Sequence, residues 1–187
     1  EQAAGRWSYR FTDCLAGKTV LIVGYGSIGQ ALEARLAPFE VELIRVARSA
    51  RAGVHSAQDL PDLLARADVL VVLLPFTAAT VGLLSADMLA LLPERAWVIN
   101  AARGRIVDQD ALLELVQAGR LSAALDVTDP EPLPREHPLW DAPGVLITPH
   151  LAGDSPRASR KAFALVGDQV RRYVAGEPLI NVVEQGY

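Results

Sequence analysis

Apolar runs of strand length alternate with helical patterns along this 187-residue chain. This alternation is typical of βαβ units, which build a parallel sheet flanked by helices. Six runs rich in Val, Ile and Leu predict strands, at Lys18 to Gly24, Val41 to Ala47, Asp68 to Leu74, Ala96 to Ala101, Ser122 to Val127 and Val145 to Thr148. Because the runs are almost continuously apolar, both faces of the sheet should be covered. The sequence therefore predicts an α/β fold with a doubly wound parallel sheet and helices on both faces.

Helical patterns lie between these runs and after the last of them. They predict five helices, at Ile28 to Leu36, Leu60 to Ala67, Ala86 to Leu92, Gln109 to Ala118 and about Pro156 to Ala175. Asp108 is a candidate N-cap and Gly119 a candidate C-terminal glycine of the fourth helix. The segment from Val127 to Gly144 carries five prolines, so it cannot form regular structure. We expect a long ordered loop there, and such loops inside compact domains tend to be functional.

Charge and cysteine content argue against several classes of protein. The net charge is −4 and no Lys/Arg run occurs, which disfavours nucleic-acid binding. No apolar stretch reaches the roughly 18 residues of a membrane-spanning helix. The single cysteine, Cys14, rules out an internal disulfide framework and is expected to be a small packing residue. We expect a soluble protein of the reducing cytoplasm, with no metal site.

The sequence GYGSIG, residues 24–29, follows the first predicted strand and opens the first predicted helix. In a dinucleotide-binding loop, Gly24 permits the tight turn, Gly26 lets the backbone approach a pyrophosphate, and Gly29 allows close packing of helix and strand. The pyrophosphate lies at the helix N-terminus, where free N–H groups favour an anion. The alternative is that the three glycines only shape a turn. In its strand–helix context, the pattern favours a Rossmann-type cofactor domain.

The end of the second predicted strand bears on the choice of cofactor. A carboxylate for the adenosine ribose is expected there, but the sequence reads VARSAR and has no Asp or Glu. Arg48, Ser49 and Arg51 suit a 2′-phosphate, because a guanidinium supplies a charge-assisted fork to a phosphate. Glu42 lies too early and is expected to be an exposed or edge carboxylate. The sequence favours NADP(H) over NAD(H), the alternative being that the arginines are solvated loop charges.

The later motifs closely resemble those of the D-isomer-specific 2-hydroxyacid dehydrogenase family, in particular its cofactor domain. The matching stretches are GRW, GKTVLIVGYGSIG, ADVLVVLLPFTAATVGLL, VINAARGRIVDQDAL, AALDVTDPEPLP, HPLW and VLITPHLAG. They cover essentially the whole chain in the family's order and spacing. The resemblance is therefore far more specific than the glycine pattern alone.

The resemblance implies three catalytic residues. Arg103 matches the arginine that grips the carboxylate and carbonyl of a 2-oxoacid, although Ala102 stands where the family more often has Ser. His150 matches the proton donor and acceptor for the carbonyl oxygen, and Glu131 matches the acid that pairs with it. The chemistry itself requires such a set, because ketone reduction needs a hydride, a proton and a positive charge that polarises the carbonyl. An imidazole exchanges protons near neutral pH, and an adjacent carboxylate favours its charged form.

The resemblance also implies the cofactor contacts. Asp126 matches the residue that contacts the nicotinamide carboxamide, while Pro75 and Thr80 match the rim beside the adenine ribose and phosphates. The full set of expected cofactor-binding residues is Gly24, Tyr25, Gly26, Ser27, Ile28, Gly29, Arg48, Ser49, Arg51, Pro75, Thr80, Ala101, Arg103, Asp126, His150 and Gly153. His55 is expected to be a strand-end or loop histidine, and His137 to belong to the proline-rich loop. Trp7, Trp97 and Trp140 are expected to fill core or interface space.

The resemblance further implies an organisation for the whole protein. The family builds two domains around a cleft, so residues 1–187 are expected to form the dinucleotide-binding domain and to lack most of the substrate domain. Residues 1–16 are expected to lead into this domain, and residues 155–187 to form a C-terminal helix and tail. The expected function is an oxidoreductase of a small D-2-hydroxyacid or 2-oxoacid, such as glyoxylate or hydroxypyruvate, acting as a homodimer. A non-catalytic dinucleotide-sensing or scaffold module of the same family is the alternative.

Overall fold

The computed structural model describes residues 4–9 and 12–182 and contains one seven-stranded sheet. The strands are β1 (Thr19–Val23), β2 (Glu42–Ala47), β3 (His55–Ser56), β4 (Val69–Val72), β5 (Ala96–Asn100), β6 (Leu121–Leu125) and β7 (Val145–Ile147). Their order is β3-β2-β1-β4-β5-β6-β7, and every neighbouring pair is parallel. The predicted fold class is confirmed. The two-residue strand β3 is not among the predicted strands, because so short a segment has no apolar periodicity.

In residues 4–9 and 12–182, five α-helices connect or follow the strands. They are α1 (Ser27–Leu36), α2 (Leu60–Leu64), α3 (Ala86–Ala90), α4 (Gln109–Gln117) and α5 (Pro156–Ala175). Both predicted caps of α4 are confirmed: the Asp108 side chain accepts from the backbone N–H of Ala111, and Gly119 follows the helix with φ of 70°. Helix α2 is shorter than predicted, because Arg66 and Ala67 donate to Leu63 and Leu64 in three-residue turns.

The two faces of the sheet are covered unequally. The larger apolar cluster includes Leu21, Val72 and Val98, and it continues into α2, α3 and α4. On the other face, Ile22 and Val71 belong to a small cluster against which Leu32 of α1 packs. The expectation that both faces are covered is correct for the centre of the sheet and wrong at its β5–β7 side.

Several side chains expected to be packed are exposed. Trp97 on β5 and Leu146 on β7 are 43% and 61% exposed. Trp7 is 99% exposed and Trp140 is 50% exposed, so none of the three tryptophans fills the core. The indole of Trp140 donates to the carbonyl of Pro134, which satisfies its polar atom at the surface. Cys14, in the segment that precedes the turn before β1, is also exposed, and the prediction that it is a packing residue is wrong.

The two ends of the chain are described in part. The predicted lead-in at 1–16 and the predicted tail at 155–187 extend into residues outside the described ranges. Helix α5 has the predicted bounds, with Ser155 as its N-cap and Gly176 as its C-cap. Within the described ranges, no helix combines the length and apolar character required to cross a lipid bilayer.

Candidate active site

The predicted site residues follow the carboxyl ends of the strands. Gly24 follows β1, Arg48 follows β2, Arg103 follows β5, Asp126 follows β6 and His150 follows β7. In a parallel sheet these ends lie at one edge, and the chain order reverses between β1 and β4. Open α/β sheets bind ligands at that edge, beside such a reversal. The structure therefore brings the predicted residues to the edge where the fold favours a ligand site.

The glycine loop is held close to the neighbouring strands. The backbone N–H groups of Gly24 and Tyr25 both donate to the carbonyl of Val46, at 3.0 and 2.9 Å. Gly24 has φ of 108°, and a Cβ there would lie 2.6 Å from the carbonyl of Leu73. A Cβ on Gly29 would lie 3.0 Å from the carbonyl of Gly24. The first glycine is thus required by the turn, and the third by the contact of α1 with the sheet.

The start of α1 leaves room for an anion. A Cβ on Gly26 would meet no atom of the described residues within 4 Å, so packing among them does not explain this glycine. Gly26 is also the N-cap, no described side chain caps the helix, and no acidic residue lies in its first turn. Ser27 and Ile28 in that turn are exposed. Uncapped N–H groups beside open space fit the pyrophosphate of a dinucleotide.

The basic segment after β2 lies beside this loop. Arg48, Ser49 and Arg51 are all exposed, and the guanidinium of Arg51 donates to the carbonyl of Tyr25 at 2.7 Å. Glu42 is exposed as expected, and its carboxylate pairs with Arg66 at 2.8 Å. The VARSAR segment itself contains no carboxylate that would repel a phosphate.

The rim after β4 is closed by its own hydrogen bonds. The hydroxyl of Thr80 donates to the carbonyl of Pro75 at 2.7 Å and accepts from the backbone N–H of Thr77 at 2.8 Å. The Thr80 side chain consequently fixes the shape of the rim. Ala101, which follows β5, donates its N–H to Val72 at 3.3 Å, and Gly153 lies in the turn after His150.

Glu131 and His150 are brought together although 19 positions separate them. The imidazole Nδ1 of His150 lies 2.6 Å from Oε1 of Glu131. An ionised carboxylate can only accept a hydrogen bond, so Nδ1 carries the proton and Nε2 is the nitrogen left to serve a ligand. Arg103 forms no hydrogen bond or ion pair with either residue in the part of the chain that the structure describes. Its guanidinium donates to the carbonyl of Ala102 at 2.6 Å.

Asp126 holds the loop that carries His150. Its carboxylate accepts from the hydroxyl of Thr148 at 2.6 Å and from the backbone N–H groups of Leu151 at 2.8 Å and Ala152 at 3.0 Å. Partial burial raises the pKa of Asp126, but these three hydrogen bonds outweigh it and hold the pKa below its ordinary value. A carboxylate has about four acceptor positions, so one remains for a ligand N–H.

The backbone of His150 is held in the left-handed region, with φ of 53°. That conformation is unfavourable for a residue with a Cβ. It persists here because the backbone N–H of His150 donates to the carbonyls of both Asp126, at 2.9 Å, and Thr148, at 3.0 Å. The position of the imidazole is therefore set by the backbone as well as by Glu131.

A family model described as D-isomer specific 2-hydroxyacid dehydrogenase, NAD binding domain, matches residues 1–152. The chain belongs to this family. It is 37% identical over 172 residues to glyoxylate reductase/hydroxypyruvate reductase of Homo sapiens, an alignment that covers 88% of this chain and 52% of that protein. The chain spans about a third to three fifths of the length of the curated relatives that it matches first.

Solved structures of bacterial family members are similar throughout the domain. The D-isomer specific 2-hydroxyacid dehydrogenase of Xanthobacter autotrophicus Py2, in complex with NADPH and MES, is 39% identical with a TM-score of 0.87, covering 98% of this chain and 77% of that one. The NADPH-dependent glyoxylate/hydroxypyruvate reductase of Sinorhizobium meliloti, in complex with NADP and sulfate, is 36% identical with a TM-score of 0.88, covering 98% and 60%.

Two residues of this 2-hydroxyacid dehydrogenase domain that sequence reasoning missed hold the segment around Arg103. Asn100 is 1% exposed; its amide donates to the carbonyl of Arg103 at 3.0 Å and accepts from the N–H of Ala102 at 3.0 Å. Gly104 lies so close to the next strand end that a Cβ would be 2.1 Å from the carbonyl of Thr128. The sequence signal for Asn100 is a polar residue at the end of the apolar run that forms β5, where a buried side chain must find hydrogen-bond partners.

A third missed residue, Gln109, holds the loop that carries Glu131. Its side-chain amide donates to the carbonyl of Asp129 at 2.7 Å and accepts from the N–H of Asp129 at 2.9 Å. This two-point contact fixes the backbone two residues before Glu131. The sequence gives no local signal for it, because Gln109 and Asp129 are 20 positions apart.

A small cavity of about 180 Å³ lies where these loops meet. Its lining includes Asp126, Glu131, Trp140 and His150. A larger cavity, of about 450 Å³, lies at the opposite edge of the sheet, beside the amino ends of β1, β4 and β5. None of the predicted site residues lines the larger cavity, so its size does not make it the functional site.

Proposed function

We propose that this chain is the cofactor-binding part of an NADP(H)-dependent oxidoreductase that interconverts small 2-oxoacids and D-2-hydroxyacids. The observation that carries the proposal is the contact of 2.6 Å between Glu131 and His150, at the edge of the sheet that also bears Arg103 and the glycine loop. A sensing or scaffold module would not need an oriented imidazole–carboxylate pair. The similarity to human glyoxylate reductase/hydroxypyruvate reductase supports glyoxylate and hydroxypyruvate as substrates.

The proposed cofactor is NADP(H) in preference to NAD(H). The uncapped start of α1 and Gly26 would hold the pyrophosphate, and Arg48, Ser49 and Arg51 would hold the 2′-phosphate. The complexes of two similar bacterial proteins with NADPH and NADP support this choice. Asp126 would direct its remaining acceptor position to the carboxamide of the nicotinamide.

The proposed reaction divides the work among three side chains. The bound dinucleotide supplies the hydride that reduces the carbonyl carbon of the 2-oxoacid. The guanidinium of Arg103 holds the carboxylate and polarises the carbonyl, which directs the substrate to the hydride. His150 gives the proton from Nε2 to the carbonyl oxygen, while Glu131 accepts the hydrogen bond of Nδ1 and stabilises the charged imidazole. In the reverse reaction, His150 takes that proton back.

The organisation of the whole protein is part of the proposal. The length ratio to the curated relatives supports a longer protein, in which a second domain contacts the substrate's side chain. A homodimer formed by this domain is supported by the exposure of Trp7 and Trp97, because aromatic side chains are enriched in protein interfaces. The single free cysteine is compatible with the reducing cytoplasm.

The proposal is tested by replacing His150 with Gln in the intact enzyme. Loss of a general acid lowers kcat by about 10²–10⁴-fold, so kcat for glyoxylate and hydroxypyruvate should fall by about a thousandfold while NADPH affinity changes little. His55→Gln is the matched control, since His55 is an exposed histidine on β3. If His150→Gln and His55→Gln turn over alike, the proposed role of His150 is wrong. If the parent protein binds NADPH but reduces neither acid, a sensing or scaffold role is favoured instead.

A further inference from the structure

A cluster of charged and aromatic side chains lies beneath the glycine loop, outside the groups used in the proposed reaction. The hydroxyl of Tyr25 donates to Oε2 of Glu33 on α1. The guanidinium of Arg45 on β2 donates to both oxygens of Glu33, through Nε at 2.9 Å and Nη2 at 2.5 Å. The cluster therefore joins the glycine loop, the first helix and the second strand.

The cluster is tightly bound and partly shielded from water. The side chains of Glu33 and Arg45 are 26% and 28% exposed. Hydrogen bonds from Arg45 and Tyr25 lower the pKa of Glu33 to about 2, and the bond to Glu33 raises the pKa of Tyr25. A bidentate guanidinium–carboxylate contact has a defined geometry, so it fixes the position of Tyr25.

The side chain of Tyr25 turns inward. It packs against the apolar cluster of Ile22 and Val71 on the α1 side of the sheet. The ring also faces two arginines, Arg45 within β2 and Arg51 after it.

Arg51 is docked on Tyr25 through two contacts. Its guanidinium carbon lies 5.8 Å from the centre of the Tyr25 ring, and Nη2 donates to the Tyr25 carbonyl at 2.7 Å. Arg45 lies at 5.9 Å from the same ring. An exposed arginine otherwise has many rotamers, and ordering it costs conformational entropy. Contacts with the ring and the carbonyl already order Arg51 in the free protein, so less conformational entropy is lost when a ligand binds.

We propose that Tyr25 is a positioning residue for cofactor selectivity: held by Glu33 and Arg45, it keeps Arg51 beside the glycine loop, ready for the 2′-phosphate of NADPH. This inference rests on the proposed function, in which Arg51 binds that phosphate. It adds that selectivity for NADPH over NADH depends on a side chain that does not touch the phosphate. Loss of the ring should weaken NADPH binding and leave NADH binding nearly unchanged, because NADH has no group for Arg51 to bind.

The test is calorimetric titration of this chain and its Tyr25→Met variant with NADPH and with NADH. Methionine fills similar space without an aromatic face. A guanidinium–ring contact contributes modestly to ordering the arginine, so we expect about fivefold weaker NADPH binding and less than about a twofold change for NADH. Tyr25→Phe, which keeps the ring, should restore most of the selectivity. Tyr173→Met makes the matched change at an exposed tyrosine of α5 and should alter neither affinity.

A double-variant comparison separates positioning from a general structural role. If Tyr25 acts through Arg51, Tyr25→Met should add no loss of NADPH affinity to an Arg51→Met variant. Equal weakening of the binding of both cofactors, or full additivity with Arg51→Met, overturns the inference.

The parent chain separates failure of this inference from failure of the proposed function. If the parent prefers NADPH and Tyr25→Met has the same ratio of NADPH to NADH affinity, this inference alone is overturned. A parent that binds neither dinucleotide overturns the proposed function and the inference with it. Should Tyr25→Met not fold, Tyr25→Leu, which also removes the aromatic face, repeats the test, and an unchanged ratio of NADPH to NADH affinity in that variant overturns the inference.

Discussion

The two ends of the candidate site are stabilised by different kinds of interaction. At the β1–β2 end, the Tyr25, Glu33 and Arg45 side chains join the elements through charge. At the β5–β7 end, Asn100, Gln109 and Asp126 hold the loops through hydrogen bonds to backbone groups. This difference suits the role proposed for each end. A phosphate site needs accumulated positive charge, whereas a proton donor needs a fixed direction towards one atom.

The comparison predicts that the β5–β7 end is the less tolerant of steric change, and Gly104→Ala should have the largest effect. A Cβ would lie 2.1 Å from the carbonyl of Thr128, so the backbone around Arg103 or Asp126 must move. Overpacking of this kind costs about 3 kcal/mol in the free energy of unfolding. Denaturant unfolding measures it, with Gly167→Ala as control, since a Cβ there meets no atom within 4 Å in the part of the chain that the structure describes. Equal stability of the two variants would show that this end tolerates displacement.

Asp126→Asn should follow in size, because it places an amide N–H where the N–H of Ala152 donates. The loop of His150 then shifts, and we expect about a thirtyfold loss of kcat in the intact enzyme, or about 2 kcal/mol. Steady-state kinetics and NADPH titration together check this. Asp141→Asn, an exposed aspartate, is the control. A weaker NADPH affinity with unchanged kcat would instead assign Asp126 to cofactor binding alone.

Gln109→Ala should have a smaller effect on the same end. It removes both contacts with Asp129 and frees the backbone near Glu131, for which we expect about a tenfold loss of kcat, or about 1.4 kcal/mol. Gln117→Ala is the matched control, because Gln117 is exposed at the other end of the same helix. In a Glu131→Gln background, Gln109→Ala should cost little more. Full additivity of the two losses would contradict a role through Glu131.

Glu33→Gln should have the smallest effect, and that effect should depend on pH. The folded pKa of Glu33 is about 2, below its ordinary value of 4.5, so its contribution is complete above pH 4.5 and is lost as the pH falls towards 2. For a partly exposed pair, we expect a contribution of about 1 kcal/mol to the free energy of unfolding. Denaturant unfolding from pH 7 to pH 2.5 measures it, with Glu42→Gln as the matched control on an exposed pair. A stability difference that does not change with pH would exclude the electrostatic origin.

The sequence predicts those features that depend on local pattern. Alternating apolar runs identify six of the seven strands, and the caps of α4 follow from Asp108 and Gly119. The edge of the sheet that bears Gly24, Asp126 and His150 follows from the direction of the strands alone. The roles of Arg103, Glu131 and His150 remain proposals that rest on the resemblance and on the contact between the last two.

Features that depend on distant partners were not predictable. Glu33, between Tyr25 and Arg45, looks like any exposed acid of an amphipathic helix until the strand and the loop are placed beside it. The exposure of Trp97 could not be foreseen either, since an apolar strand does not reveal which of its faces a neighbour covers. Side-chain to backbone contacts across 20 positions, such as that of Gln109, leave no periodic signal.

The most direct test of the account is a calorimetric titration of this chain with NADPH and NADH side by side. The central claim is that the uncapped start of α1, with Arg48 and Arg51 beside it, forms a site for a phosphorylated dinucleotide. Charge-assisted contacts with a phosphate are worth about 1.5–3 kcal/mol, so NADPH should bind at least about tenfold more tightly than NADH. Equal affinity for the two would show that the arginines are only solvated, and no binding of either would contradict a cofactor role for the glycine loop.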